Sequence, residues 1–191
     1  MGHTLFCLGD SNTYGYDPRS FLGDRYGKTD RWTGILDGLA AWTVVNAGQN
    51  GRSIPVSGFE TNRLLRQIED CHPDALVVML GSNDLLSGLS AVETAARMEH
   101  FLTQLPDIPT LLIAPPAMAP GAWVTDARLL TESAALPARY RELAQKRSIH
   151  FADASVWGIS LTYDGVHFTE TGHHTFAQAI NTILSTLFSA E

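Results

Sequence analysis

The run Thr4-Leu5-Phe6-Cys7-Leu8, followed at once by Gly9-Asp10-Ser11-Asn12-Thr13, decides how the rest of the chain is read. A short apolar run bounded by glycine and small polar residues has the length of a buried strand and is too short for a helix. Runs of the same kind recur at 42–46, 75–80, 110–114 and 150–152, rich in Val, Ile, Leu or aromatics, as strands covered on both faces should be. Helical patterns fill the intervals at 31–40, 58–71, 91–105 and 127–147, and a last one runs over 170–188. Ser90 is placed to cap the third of these, and Pro137 should kink or break the fourth. Strand–helix alternation of this kind predicts an α/β fold, a five-stranded parallel sheet sandwiched between two layers of helices. No repeat, low-complexity tract or linker divides the chain, so one domain over 1–191 is expected.

Composition narrows the function. Hydrophobic residues make up 45% and charged residues 17%, ordinary for a globular protein and unlike a disordered one. The net charge of −7 offers no basic surface, so nucleic acid is not an expected partner. No apolar stretch approaches the roughly 20 residues that a membrane-spanning helix needs. Met1-Gly2-His3 lacks a cationic region and leads straight into the first strand, so a cleaved signal peptide is not expected. Cys7 in a strand and Cys71 at a helix end read as reduced thiols of a cytoplasmic protein. Neither has a local partner at metal-ligand spacing, and no metal or cofactor is implied.

The chemistry gathers where strands end. Ser11 stands just past the first strand, and Asp164-Gly165-Val166-His167 precedes the last helix. A serine hydroxyl becomes a competent nucleophile when a neutral histidine takes its proton, and the histidine needs a carboxylate to fix its tautomer. Two further segments fall on the same sheet edge: Asn46-Ala47-Gly48-Gln49-Asn50-Gly51-Arg52-Ser53 and Gly81-Ser82-Asn83-Asp84. The irregular stretches 14–30 and 115–126 belong there too, at the carboxyl ends where open α/β sheets hold ligands.

Together the four blocks resemble the SGNH hydrolases, serine esterases also called the GDSL lipase family. The name-giving positions match Ser11, Gly51, Asn83 and His167, in the family's order. The run from Gly9 to Gly15 looks closest to the arylesterase or lysophospholipase-like branch, with Asn12 standing where the family pattern has leucine. The resemblance implies a flavodoxin-like sheet and hydrolysis of short or medium acyl or aryl esters through an acyl-enzyme. It assigns Ser11, Asp164 and His167 to the triad, and the backbone N–H groups of Ser11 and Gly51 with the Asn83 amide to the oxyanion hole. Asn12, Tyr14, Met118, Trp123 and Val166 are the residues expected to meet the substrate. An apolar aromatic lining from Tyr14, Tyr16, Phe21, Trp32 and Trp123 would favour transfer to alcohols beside hydrolysis. The same loops suggest cover by a second copy of the chain.

Each block also has a plainer use. Gly9-Asp10-Ser11 makes a strand-to-helix turn with a cap, Gly51 a positive-φ turn, Asn83 a helix cap and Asp164 a turn with Gly165. Asp84 and Asp153 read as bracing residues. Arg31 and Arg52 are candidates to meet an acidic substrate group, and His173, with Glu170 three residues before it, is an alternative base. An α/β-hydrolase elbow is excluded, because no serine has glycine two residues away on both sides. Carbohydrate acetyl esterase and thioesterase activities stay open, as does a phosphate-binding module using the Gly9–Thr13 turn.

Overall fold

In the computed structural model, residues 3–20, 22–39 and 41–188 are described. Five strands form a single parallel sheet: β1 (His3–Gly9), β2 (Trp42–Gly48), β3 (Ala75–Met79), β4 (Thr110–Ala114) and β5 (His150–Asp153). Their order across the sheet is β2-β1-β3-β4-β5. The chain therefore steps outward from β1 to β2 and resumes on the other side of β1 with β3. That reversal opens a crevice at the carboxyl ends of β1 and β3.

Alternate residues of the strands feed two cores. Phe6, Leu8, Leu76, Val78 and Leu112 face α3 (Gly58–Cys71), α5 (Ala91–Leu102) and α6 (Ala127–Arg147), meeting Leu64, Ile68, Met98, Phe101 and Tyr140. Leu5, Cys7, Val77, Leu111 and Ile113 face α2 (Trp32–Gly38) and α7 (Glu170–Leu187), meeting Trp32, Leu36, Phe176, Ile180 and Leu184. The expected three-layer α/β/α sandwich is thus present, with period-two alternation along every buried strand deciding which side chain enters which layer. Burial of the Cys7 side chain pushes its thiol pKa up. No helix among the described residues is long and apolar enough to cross a membrane.

The remaining elements are short. α1 (Ser11–Tyr14) and α4 (Ser82–Leu86) each form little more than a turn directly after β1 and β3, and neither is foreseen by periodicity. The third helix begins as expected, with Ser90 and Glu93 in a reciprocal capping box. It stops at Leu102, three residues early, because Pro106 disfavours helical backbone at the residue before it.

Pro137 does not divide α6, which runs unbroken from Ala127 to Arg147. The missing N–H costs one helical hydrogen bond, but Leu136, Pro137, Tyr140 and Ala144 are all buried, and Tyr140 donates to the Leu80 carbonyl at 3.0 Å. Tertiary packing outweighs the local penalty here. Phe21 and Ala40, expected in the first loop and first long helix, lie outside the described residues.

Candidate active site

At the end of β1 the chain turns within one residue. Asp10 caps α1 by accepting from the Asn12 N–H at 2.9 Å, which puts Ser11 at the first helical position. Gly9 permits the turn, because a Cβ there would collide with the Thr13 hydroxyl. α1 ends at Gly15, in left-handed backbone with φ of 91°. Ser11 is buried to 6% exposure.

The base arrives from the segment before α7. Asp164 Oδ1 accepts from the backbone N–H groups of Val166 and His167, both at 2.9 Å, while Oδ2 lies 2.7 Å from His167 Nδ1. The loop is folded about its own carboxylate. Nδ1 is thereby engaged, and Nε2 faces Ser11 Oγ at 3.0 Å. Burial pushes the Asp164 pKa up, but the hydrogen bonds from the His167 ring and from the two N–H groups prevail, holding the carboxyl well below its ordinary range. Residues 11 and 167, remote in sequence, meet within hydrogen-bonding distance.

The second and third blocks are tied to each other. Gly51 takes φ of 71°, a left-handed conformation that suits glycine. The Asn83 amide donates to the Arg52 carbonyl at 3.0 Å, and Asp84, fully buried, accepts from the Ile54 N–H at 2.9 Å and from Arg97 at 3.1 Å. Arg52 turns inward rather than toward solvent. Its guanidinium donates to the carbonyls of Gly9 and Ala47 and to Gln49 Oε1. Asp153 braces the turn after β5 by accepting from the Ser155 N–H.

A cleft of about 250 Å³ opens over these groups. Ser11, His167, Gly51 and Asn83 line it together with Asn50, Tyr16 and Trp123. The larger groove of Val92, Ala95, Glu99, Arg139 and Lys146 has no serine, cysteine or histidine in its lining among the described residues. The 115–126 segment is laced to the loop of Asp164 and His167 by main-chain hydrogen bonds: Ala119 to Gly165, Ala122 to Tyr163 and Trp123 to Asp164, at 3.0 to 3.1 Å. Gly121 and Gly165 allow this approach, since a Cβ on either would strike the backbone of the opposite segment.

Several expected contacts fall elsewhere. Asn12 is buried with its amide spent on the backbone of Val166 and Phe168, so it is not free to meet a substrate. Val166 and Met118 pack into the core on the α3/α5/α6 side. Tyr14 does not line the cleft; the Arg25 guanidinium lies over its ring. Trp32 is fully buried. Arg31 donates to the Tyr26 carbonyl and Arg52 to the three acceptors above, so neither lines the cleft.

His173 is buried against the Tyr26 and Phe168 rings, its Nδ1 facing the Trp32 N–H, and does not reach the cleft. Burial, aided by the nearby His174 and His167, lowers its pKa to about 3. Asp30, Glu170 and His174 bring ligand atoms within 4.8 Å of one another, but none of them lines the cleft. Asn50 and Tyr16 do. Sequence reasoning quoted Asn50 without a role and grouped Tyr16 with other loop aromatics; only the placement of their loops separates them.

No curated protein matches the chain. Solved structures do. An aryl esterase from M. smegmatis superimposes with a TM-score of 0.84 at 23% identity, over 97% of this chain and 100% of that one. A carbohydrate acetylesterase family member from Sinorhizobium meliloti gives 0.85 at 24%, over the full length of both chains. At these identities the likeness speaks for the fold. The sequence itself matches the GDSL-like lipase/acylhydrolase family over residues 7–175, most of its length, and the chain belongs to that family of ester-hydrolysing enzymes.

Proposed function

We propose that the chain is a single-domain serine esterase that cleaves short acyl and aryl esters through an acyl-enzyme on Ser11. The observation that carries this reading is the continuous line from Ser11 Oγ to His167 Nε2 at 3.0 Å and from His167 Nδ1 to Asp164 at 2.7 Å.

Ser11 Oγ attacks the ester carbonyl carbon as His167 Nε2 takes the hydroxyl proton, and Asp164 holds the imidazolium that results. The carbonyl oxygen, now negative, is met by the N–H of Ser11, one of the unspent donors at a helix start, and by the N–H of Gly51. One amide hydrogen of Asn83 is fixed by the Arg52 carbonyl, which leaves the other for the same oxygen. His167 then gives its proton to the departing alcohol. Water, or a second alcohol, attacks the acyl-enzyme by the reverse path.

The cleft is smaller than the roughly 300–1,000 Å³ common for drug-sized ligands, and no aliphatic side chain lines it. Both features support a short acyl group with an aromatic or polar alcohol portion. A sugar acetate is the second reading, favoured by Asn50 beside the half-exposed Trp123. The free thiols of Cys7 and Cys71 support a cytoplasmic setting, and the net charge supports a small neutral substrate over nucleic acid. Leu22 and Trp123, exposed on the loops at 14–30 and 115–126, support cover of those loops by a second copy of the chain.

The test is a p-nitrophenyl ester series from acetate to palmitate, run on wild type and Ser11→Ala. Activity should peak at the short end and fall by on the order of 10⁴-fold or more in the variant. Full activity in Ser11→Ala would remove the nucleophile assignment. Acetylated sugars and acyl-CoA, run in parallel, separate the sugar and thioester readings, and product ratios in alcohol–water mixtures measure transfer against hydrolysis.

A further inference from the structure

We infer that Asn12 is a positioning residue that sets the distance between the nucleophile and its base, an inference that rests on the esterase reading above. Its amide bridges the two residues flanking His167: Nδ2 donates to the Val166 carbonyl at 3.1 Å, and Oδ1 accepts from the Phe168 N–H at 2.9 Å. The side chain is 4% exposed. Its own backbone is pinned as well, the N–H by Asp10 at 2.9 Å and the carbonyl by the Trp32 indole at 3.0 Å.

The geometry closes a ring. Ser11 is bonded covalently to Asn12, the Asn12 amide grips the peptide groups on both sides of His167, and the His167 ring returns to Ser11 Oγ. Among the described residues, the two amide bonds are the hydrogen bonds, besides that of Ser11 with His167, that join the turn at 10–14 to the loop at 164–168. The three bonds that the Asp164 carboxylate makes to the Val166 and His167 N–H groups and to the His167 ring all lie within the loop. They shape it and orient the imidazole, but they do not place it against the serine. The 119–123 segment holds the loop from elsewhere.

The bridge requires one group that donates and accepts at the same time. Leucine can do neither, and an ionised carboxylate lacks the donor. Buried, the amide also satisfies a carbonyl and an N–H that would otherwise be costly to leave unpaired. Its release should therefore let the His167 loop drift from Ser11 while the cleft walls at Tyr16 and Gly51 stay in place. The signature is a loss in kcat with substrate affinity kept.

Asn12→Leu is assayed on p-nitrophenyl acetate with rates taken per burst-titrated site, so that misfolded molecules do not enter. We expect kcat to fall about 10- to 100-fold, the scale of an ångström of misplacement, with KM within about threefold. Asn12→Asp, of nearly equal volume, serves if the leucine variant does not fold. It keeps the acceptor for Phe168 and, ionised, offers no donor to Val166, and the same pattern is expected. Full kcat in a folded Asn12 variant, or a loss confined to KM, overturns the positioning role. Ser11→Ala is run beside them. Activity in that variant removes the esterase reading itself, whereas an inert Ser11→Ala beside a fully active Asn12→Leu removes only the role given to Asn12.

Discussion

Tyr16 and Trp123, carried by different loops, both meet the His167 imidazole edge-on, with ring centroids 4.8 and 4.9 Å away. On the esterase reading, the departing alcohol, which takes its proton from His167, would pass between these two aromatic walls. Trp123 is the more exposed of the pair, at 51%, and should act through substrate contact rather than through folding. Trp123→Ala is expected to raise KM for p-nitrophenyl acetate about 3- to 10-fold, the worth of one aromatic pair, with little change in Tm. Steady-state kinetics beside a melting curve check this, and an unchanged KM would remove the contact.

Asn83 and Asp84 hook one loop at two points, the Arg52 carbonyl and the Ile54 N–H. Burial raises the Asp84 pKa, opposed by the Ile54 N–H and by Arg97. Asp84→Ala leaves that N–H buried without its acceptor, which should cost about 2 kcal/mol in denaturant unfolding. It should also lower kcat by loosening Gly51. Asp84→Asn, which can still accept from Ile54, should lose less on both counts. Equal losses in the two variants would contradict the loop-anchoring account.

Gly121 lies against the backbone of Asp164 and Gly165. A methyl group there has to push two main chains apart. Gly121→Ala should destabilise by about 1–3 kcal/mol, as overpacking does, and should lower kcat more than it alters KM, because the Asp164 carboxylate bonded to His167 is displaced. Wild-type stability and turnover in this variant would show that the two loops are not held as closely as their hydrogen bonds imply.

The acid limb of stability should report His173. Its pKa drops from an ordinary 6.5 to about 3 on folding. Below pH 6.5 the unfolded chain therefore binds a proton that the folded chain refuses, and stability falls as pH falls toward 3, by at most about 1.4 kcal/mol per pH unit from this group. Asp10 acts in the opposite sense. Burial chiefly raises its pKa from 3.8 to about 6, so the folded chain takes up that proton first and this group adds stability as pH falls through the same window. Between pH 6 and 4 the two contributions nearly cancel, so His173→Gln should leave Asp10 unopposed and make stability rise as pH falls. Urea unfolding at several pH values measures it, and an unaltered slope would refute the assignment.

What was legible in the sequence was whatever repeats or is punctuated. The strands announce themselves by short apolar runs, and 110–114 falls within one element to the residue. The Ser90–Glu93 capping pair fixes a helix start from local chemistry alone. The convergence of Ser11, Asp164 and His167 is readable because the proposed triad demands particular residue types at strand ends, and the fold then supplies the distances. Tertiary circumstance was not legible. α1 and α4 are too short to show a period, and Pro137 is tolerated only because Tyr140 and Leu136 are buried beside it. Asn12 looks like a substrate contact until residues 166 and 168 arrive from the far end of the chain. Met118 and Val166 look like pocket lining because nothing local says which way a loop side chain faces.

The lacing of residues 119–123 onto the loop of Asp164 and His167 uses backbone N–H and carbonyl groups, which every amino acid but proline supplies. The identity of the residue at 123 is thus decoupled from where that residue sits. A series of replacements at this one position could redirect preference among esters while leaving proton transfer in register. On the esterase reading, the scaffold keeps an exchangeable wall beside a fixed proton path.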